Sequence, residues 1–135
     1  MRVHGELRRL VEGISAAHDA GAEIDIELGY PVTVNDQSYA GFTSEMAREL
    51  LGPDAVSTMS HPVMGAEDFA YVLERVPGAM AFLGATPAGV DPRRAEPNHS
   101  NRVVFDEEAM TTGIALYTKM ALAHLAGRAP SGGSQ

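Results

Sequence analysis

One run of seven residues constrains the fold more than any other part of the sequence. Residues 79–85 read AMAFLGA, and this uninterrupted apolar stretch lies between Gly78 and Pro87. Such a run predicts a β-strand that is covered on both faces, as in a parallel sheet between two layers of helices. The sequence therefore favours an α/β fold.

A different kind of strand is predicted near the start of the chain. In residues 23–28, EIDIEL, apolar and acidic side chains alternate strictly, which indicates a strand with one buried face and one solvated face. The preceding residues 2–18 place Val3, Leu7, Leu10 and Ile14 at helical spacing, and Gly21 offers a helix stop. A helix beside a half-exposed strand predicts a small two-layer α+β unit.

These two patterns divide the chain. We expect residues 1–33 to be the end of the two-layer unit and residues 34–127 to be part of a three-layer α/β domain. The small, polar residues 128–135 predict a disordered tail.

Three further helices are expected in the second unit. The first covers residues 37–51, with Asn35 or Asp36 as its N-cap and Gly52 at its end. Residues 54–57 are a candidate short strand. A short helix precedes Pro77, with Glu67 and Asp68 in its first turn. The last helix follows Asp106 and runs to about Leu125. Its predicted buried face carries Met110, Ile114, Tyr117 and Ala121.

Composition excludes several classes of function. The 135 residues suit one domain or parts of two, and the formal net charge of −8 argues against nucleic acid and anionic membranes as partners. No segment resembles a secretory signal or a membrane span. The absence of cysteine removes disulfides and thiolate metal sites and is compatible with a cytoplasmic location.

His99 is the best candidate for chemistry. It lies in the segment AEPNHSNRVVFDEEA, after a long loop rich in proline and glycine. An imidazole there could bind a metal through one nitrogen while Asn98, Ser100 or Asn101 orients the other. On spacing alone, an ordinary polar loop histidine remains the alternative.

The other candidates are weaker. His61 lies in a loop close to the MGAEDF segment, whereas His4, His18 and His124 lie on helices and are expected at the surface. Glu67 and Asp68 point about 100° apart on a helix, so they cannot share a proton as facing carboxylates do. The motifs HExxH and GxSxG are both absent.

Several motifs, taken in order, resemble one known family. The segments GYPVTVND, MGAEDFAYVLERVPGAMAFLG, PNHS and VVFDEEAMTTGIALY are similar to the metal-dependent aminoacylase/carboxypeptidase family, in the branch of hippurate hydrolase and the auxin-conjugate amidohydrolases. The resemblance covers roughly residues 7–125. It implies a zinc-peptidase-like catalytic domain with two divalent ions, zinc or manganese, and a smaller lid domain that often mediates dimerisation.

The resemblance also assigns residues. His99 matches the family's last metal ligand, and residues 64–67 match a turn that lines the active site. Met64, Gly65 and Glu67 are therefore expected to contact substrate or support the metal ligands. The implied reaction is hydrolysis of N-acyl amino acids or related amides by a metal-activated water. The substrate is thus a small molecule, and the resemblance implies a homo-oligomer.

The chain departs from this family in what it lacks. The other metal ligands and the general-base glutamate belong to upstream segments, so no catalytic residue is expected in this chain. We therefore expect it to be the C-terminal portion of such an enzyme, a truncated or naturally split product that is inactive alone. The alternative is a non-catalytic, stand-alone association module.

Overall fold

The computed structural model describes residues 2–130, and these contain four α-helices and no β-strand. The helices are α1 (Arg2–Ala17), α2 (Gln37–Leu51), α3 (Ala70–Leu73) and α4 (Ala109–Leu125), with a 3₁₀ helix at Pro53–Ala55 between α2 and α3. None of the helices in this part of the chain combines the length and the apolar character needed to span a bilayer. The predicted tail residues 131–135 lie outside the described residues.

The chain divides into two compact units, Met1–Tyr30 and Pro31–Gln135. In the first unit, α1 forms where its periodicity predicts, but Leu7 and Ile14 on its apolar stripe are exposed. The helix ends through Asp19, which has a positive φ of 52°, rather than at Gly21. The Arg8 guanidinium donates to the Ile24 carbonyl at 2.9 Å and so ties the following segment to the helix.

The core of the second unit lies between α2 and α4. Phe42 and Met46 of α2 are buried against Ala123 of α4. Around them pack four partly buried residues: Tyr39, Leu116, Met120 and Ala129. Helix α2 has the predicted bounds because the Asp36 carboxylate accepts a hydrogen bond from the Tyr39 amide at 2.9 Å, and Gly52 ends the helix with a φ of 89°.

The predicted buried face of α4 is wrong. Leu116, Met120 and Ala123 face α2, whereas Met110, Ile114 and Tyr117 are exposed. Helix α4 is apolar on most of its circumference, so periodicity alone could not say which side meets α2. The Asp106 carboxylate accepts a hydrogen bond from the Glu108 amide at 3.0 Å, in the turn that precedes the helix.

The three predicted strands do not form in residues 2–130. Residues 24–28 and 79–85 have no regular structure, and residues 54 and 55 belong to the 3₁₀ helix. Phe82, expected to be covered on both faces, is 62% exposed. A strand of this type needs neighbouring strands for its backbone groups and helices on its faces. Residues 2–130 supply no neighbouring strand, only separate hydrogen bonds near the two ends of the run and a packing contact with α4.

Those contacts fix the ends of the 79–85 run. The Asp36 amide donates to the Gly78 carbonyl at 2.9 Å, and the Asp106 amide donates to the Ala85 carbonyl at 2.8 Å. Along the run, a Cβ atom built on Gly113 of α4 would lie 3.3 Å from the Leu83 side chain, so α4 packs closely on this segment. The apolar run therefore lies beside α4, with the start of α2 at one end.

Residues 128–130 depart from the predicted tail. The Arg128 guanidinium pairs with the Glu49 carboxylate at 2.7 Å, and Lys119 pairs with the other Glu49 oxygen at 2.8 Å. Ala129 packs against the α2–α4 core. Glu49 therefore joins both α4 and the residues that follow it to α2.

Candidate functional site

His99 lies in the loop between the 79–85 run and α4, and its side chain is exposed. The loop backbone turns at this point, because the Ser100 amide donates to the Pro97 carbonyl at 2.9 Å. The imidazole is therefore accessible at the surface rather than packed inward. An accessible imidazole can bind a metal ion, whereas an imidazole packed in the core could not.

The neighbours of His99 shape the loop instead of orienting the imidazole. The Ser100 hydroxyl donates to a Glu96 carboxylate oxygen at 3.1 Å and accepts from the Arg102 amide at 3.1 Å. The Arg102 guanidinium pairs with the other Glu96 oxygen at 2.8 Å. The Ser100 hydroxyl, one of the groups that could orient His99 on sequence grounds, instead bonds Glu96 and Arg102.

Glu96 and Arg102 are the residues of this loop that sequence reasoning missed. Glu96 stands four residues before Ser100 and six before Arg102, and this spacing within a polar loop gave no distinctive signal. Together they close a polar ring around the backbone that carries His99. Their contribution is to hold the loop, since their charged groups are paired with each other.

The predicted active-site turn, residues 64–67, precedes α3. Met64 is 93% exposed, Gly65 is exposed and Glu67 is partly buried. The Glu67 carbonyl accepts from the Ala70 amide at 3.2 Å, so Glu67 and Asp68 lie just before α3 and not in its first turn as predicted. In the described part of the chain, no hydrogen bond or ion pair joins this turn to the His99 side chain.

The residues present do not make a metal site by themselves. Zinc in proteins takes three or four ligands from side chains, and within residues 2–130 no group of three or more His, Cys, Asp or Glu side chains could hold an ion. His99 offers one imidazole. His61 is no better placed, because its Nδ1 lies 2.9 Å from the hydroxyl of the adjacent Ser60.

Comparison with known protein families gives one match over nearly the whole chain. Residues 3–123 match Peptidase family M20/M25/M40. The chain belongs to this family. Membership agrees with the resemblance seen in the sequence motifs and with an α/β peptidase fold as the class of the complete protein.

Three relatives in the M20/M25/M40 family illustrate its range. Hippurate hydrolase of Campylobacter jejuni is 28% identical over 120 residues, which are 89% of this chain and 30% of the relative. Thermostable carboxypeptidase 2 of Saccharolobus solfataricus is 32% identical over 119 residues, 86% of this chain and 28% of the relative. N-acetyldiaminopimelate deacetylase of Lactiplantibacillus plantarum is 30% identical over 115 residues, 83% of this chain and 29% of the relative.

All three names are those of enzymes that hydrolyse an amide or peptide bond. The chain, however, spans less than a third of the length of these relatives. No solved structure matches the chain.

Proposed function

We propose that this chain is the C-terminal portion of an M20-family amidohydrolase that cleaves N-acyl amino acids or related small amides. The observation that carries the proposal is the family match over residues 3–123. Two relatives carry names, hippurate hydrolase and N-acetyldiaminopimelate deacetylase, that denote hydrolysis of such amides, in which an acyl group is joined to an amino acid nitrogen.

Within this proposal, His99 supplies one ligand of a divalent-metal site. The imidazole is exposed on a loop held by the Glu96–Ser100–Arg102 contacts, so it is free to meet groups from outside the described residues. A bound zinc or manganese ion would polarise the amide and activate water. The remaining ligands and the general base would come from segments that residues 2–130 do not contain.

Met64, Gly65 and Glu67 are proposed to face the substrate. The segment is exposed and irregular until the turn that begins α3, and Gly65 would let the substrate approach the backbone closely. The isolated chain is expected to be inactive, because it offers one imidazole and no complete ligand set. The complete enzyme is proposed to be an oligomer, as the family resemblance implies.

A hybrid enzyme tests this function. Residues 3–123 would replace the 120 aligned residues of the C. jejuni hippurate hydrolase. The release of glycine would then be measured as the readout of hippurate hydrolysis. We expect the hybrid to turn over hippurate and the isolated chain to show none. A hybrid that folds and binds metal but does not hydrolyse hippurate or other N-acyl amino acids would contradict the proposal.

The second candidate, a non-catalytic association module, is favoured by one observation. Large apolar side chains on α1 and α4, including Leu10 and Tyr117, are exposed, and exposed apolar faces often mark protein interfaces. Sedimentation of the isolated chain separates the candidates. A stable oligomer with cooperative unfolding and no need for further polypeptide would favour the module.

A further inference from the structure

His99 lies in the first of two consecutive turns that share Ser100. The Ser100 amide donates to the Pro97 carbonyl at 2.9 Å, and the Val103 amide donates to the Ser100 carbonyl at 3.3 Å. Residues 98 and 99 are the central positions of the first turn, so the backbone of that turn sets the direction in which the His99 side chain leaves the chain. Contacts that fix these two turns therefore fix where the imidazole is presented.

The Glu96 carboxylate bridges the two turns. One oxygen accepts from the Ser100 hydroxyl at 3.1 Å, at the residue that the turns share, and the other pairs with the Arg102 guanidinium at 2.8 Å, inside the second turn. The Ser100 hydroxyl in turn accepts from the Arg102 amide at 3.1 Å. Because Glu96 precedes the first turn, these contacts close a ring across the backbone of residues 97–101, and none of them uses the His99 imidazole.

The contacts of this ring are local to the loop. Within residues 2–130, the hydrogen bonds and ion pairs of residues 96–102 all join partners inside residues 96–103. The Arg102 side chain is 76% exposed and that of Glu96 38% exposed, and an ion pair at such a surface adds little to the stability of a fold. The effect of the pair is therefore expected on the shape of the loop and not on global folding.

We infer that Glu96 is a positioning residue for His99: through Ser100 and Arg102 it holds the loop in the form that presents the imidazole to a divalent ion. The inference rests on the proposed function, because the ion and its other ligands belong to that proposal. The imidazole fits such a site as one nitrogen ligand of the kind that zinc binds. A ligand that is already in place loses less conformational freedom when the ion binds, which raises the affinity for the metal.

The Glu96–Arg102 pair has a second way to influence a metal, which is through charge, and the two roles predict different signs. Glu96→Ala leaves an unpaired positive charge in the loop, whereas Arg102→Ala leaves an unpaired negative charge. Charge alone would make the first substitution weaken the binding of a cation and the second strengthen it. Positioning predicts that both substitutions weaken it, because either one opens the ring.

Amide exchange in the 135-residue chain tests the loop without any metal. Exchange of the Ser100 amide with water would be measured by NMR. We expect Glu96→Ala and Arg102→Ala to accelerate this exchange about threefold to tenfold, because the turn opens more often once the ring is broken. Arg94→Ala, an exposed position of the same loop, is the control and should leave the rate unchanged. Unchanged exchange in Glu96→Ala, or equal acceleration in Arg94→Ala, would overturn the inference.

Metal affinity in the hybrid enzyme tests the positioning role itself. The metal-free hybrid would be titrated with zinc against a chelator, and the site that includes His99 would be identified by its loss in His99→Ala. We expect Glu96→Ala and Arg102→Ala each to lower the zinc affinity of that site about tenfold, as loss of a group that supports a metal ligand does. Asn35→Ala, which removes hydrogen bonds to Met80, is the structural control. It should lower stability and leave zinc affinity within about twofold.

The outcomes separate this inference from the proposed function. If His99→Ala weakens zinc binding and Glu96→Ala does not, the positioning role is wrong and the proposed function stands. Tighter zinc binding in Arg102→Ala would replace positioning by a charge effect, and an equal loss of affinity in Asn35→Ala would reduce Glu96 to a structural residue. If His99→Ala leaves zinc binding unchanged, the metal role proposed for His99 fails, and the inference fails with it.

Discussion

The Asn35 side chain and the Met80 backbone exchange two hydrogen bonds across 45 positions of sequence. The Asn35 amide nitrogen donates to the Met80 carbonyl at 2.9 Å, and the Met80 amide donates to the Asn35 side-chain oxygen at 2.8 Å. Asn35 thus pairs with the start of the 79–85 run as a neighbouring strand would. Its role in the described residues is structural, whereas Asp36, the other N-cap candidate, caps α2.

Removing this pair should destabilise the second unit. Asn35→Ala removes both hydrogen bonds, and we expect the free energy of unfolding to fall by about 1–3 kcal/mol, at about 0.5–1.5 kcal/mol per bond. Urea unfolding followed by circular dichroism measures the change. Gln37→Ala, at the exposed first residue of α2, is the control and should change stability by less than about 0.5 kcal/mol. Equal effects would show that the Asn35–Met80 pair does not hold the run.

Two methionines test which side of α4 faces the core. Met46 of α2 is fully buried, whereas Met110 of α4 is 62% exposed. Met46→Ala should cost about 2–5 kcal/mol, because it leaves a cavity in a small core. Met110→Ala in the isolated chain should cost less than about 0.5 kcal/mol. A large loss for Met110→Ala in thermal unfolding would restore the buried face originally predicted for α4.

Alanine should change stability in opposite directions at a glycine within α2 and at the glycine that follows its last residue. Gly52 has a φ of 89°, which strains a residue with a Cβ atom, so Gly52→Ala should destabilise by about 1 kcal/mol. Gly41 is in the helix with open space at its Cβ position, so Gly41→Ala should stabilise by up to about 1 kcal/mol. Melting temperatures that shift in the same direction would contradict the backbone assignment at one of the two.

Glu49 should make the stability of the second unit fall in acid. Hydrogen bonds from Arg128 and then Lys119 lower the pKa of Glu49 from 4.5 to about 2. A lowered carboxyl pKa contributes stability above about pH 4.5, and this contribution is lost as the pH falls towards 2. Glu49→Gln should therefore flatten the stability profile between pH 4.5 and 2, and Glu74→Gln should not. High salt should weaken the effect, because the groups are near the surface.

Much of the helical structure could be predicted from the sequence. The limits of α2 follow from Asp36 and Gly52, and α1 follows from its apolar period. These signals are local, so they operate whatever surrounds them. The strand predicted at residues 79–85 and the buried face of α4 depend instead on what packs against them, and the described residues do not supply that cover.

For the candidate site too, some features could be predicted from the sequence and others depend on how the chain folds. The motif resemblance located the family, which the match over residues 3–123 confirms. It could not show that Ser100 is committed to Glu96 and Arg102, because that network depends on how the loop folds. The roles of His99, Met64, Gly65 and Glu67 stay predictions, as does a cytoplasmic location.

The metal content of the hybrid enzyme, with and without His99, tests the central claim most directly. The hybrid would be purified with His99 and as His99→Ala, with His61→Ala as the control, and bound zinc and manganese would be counted by elemental analysis. We expect His99→Ala to lose one ion and nearly all hippurate hydrolysis, since a site left with fewer ligands binds its metal weakly. The His61→Ala hybrid should retain both its full metal content and its hippurate hydrolysis. Unchanged metal content and turnover in His99→Ala would contradict the account.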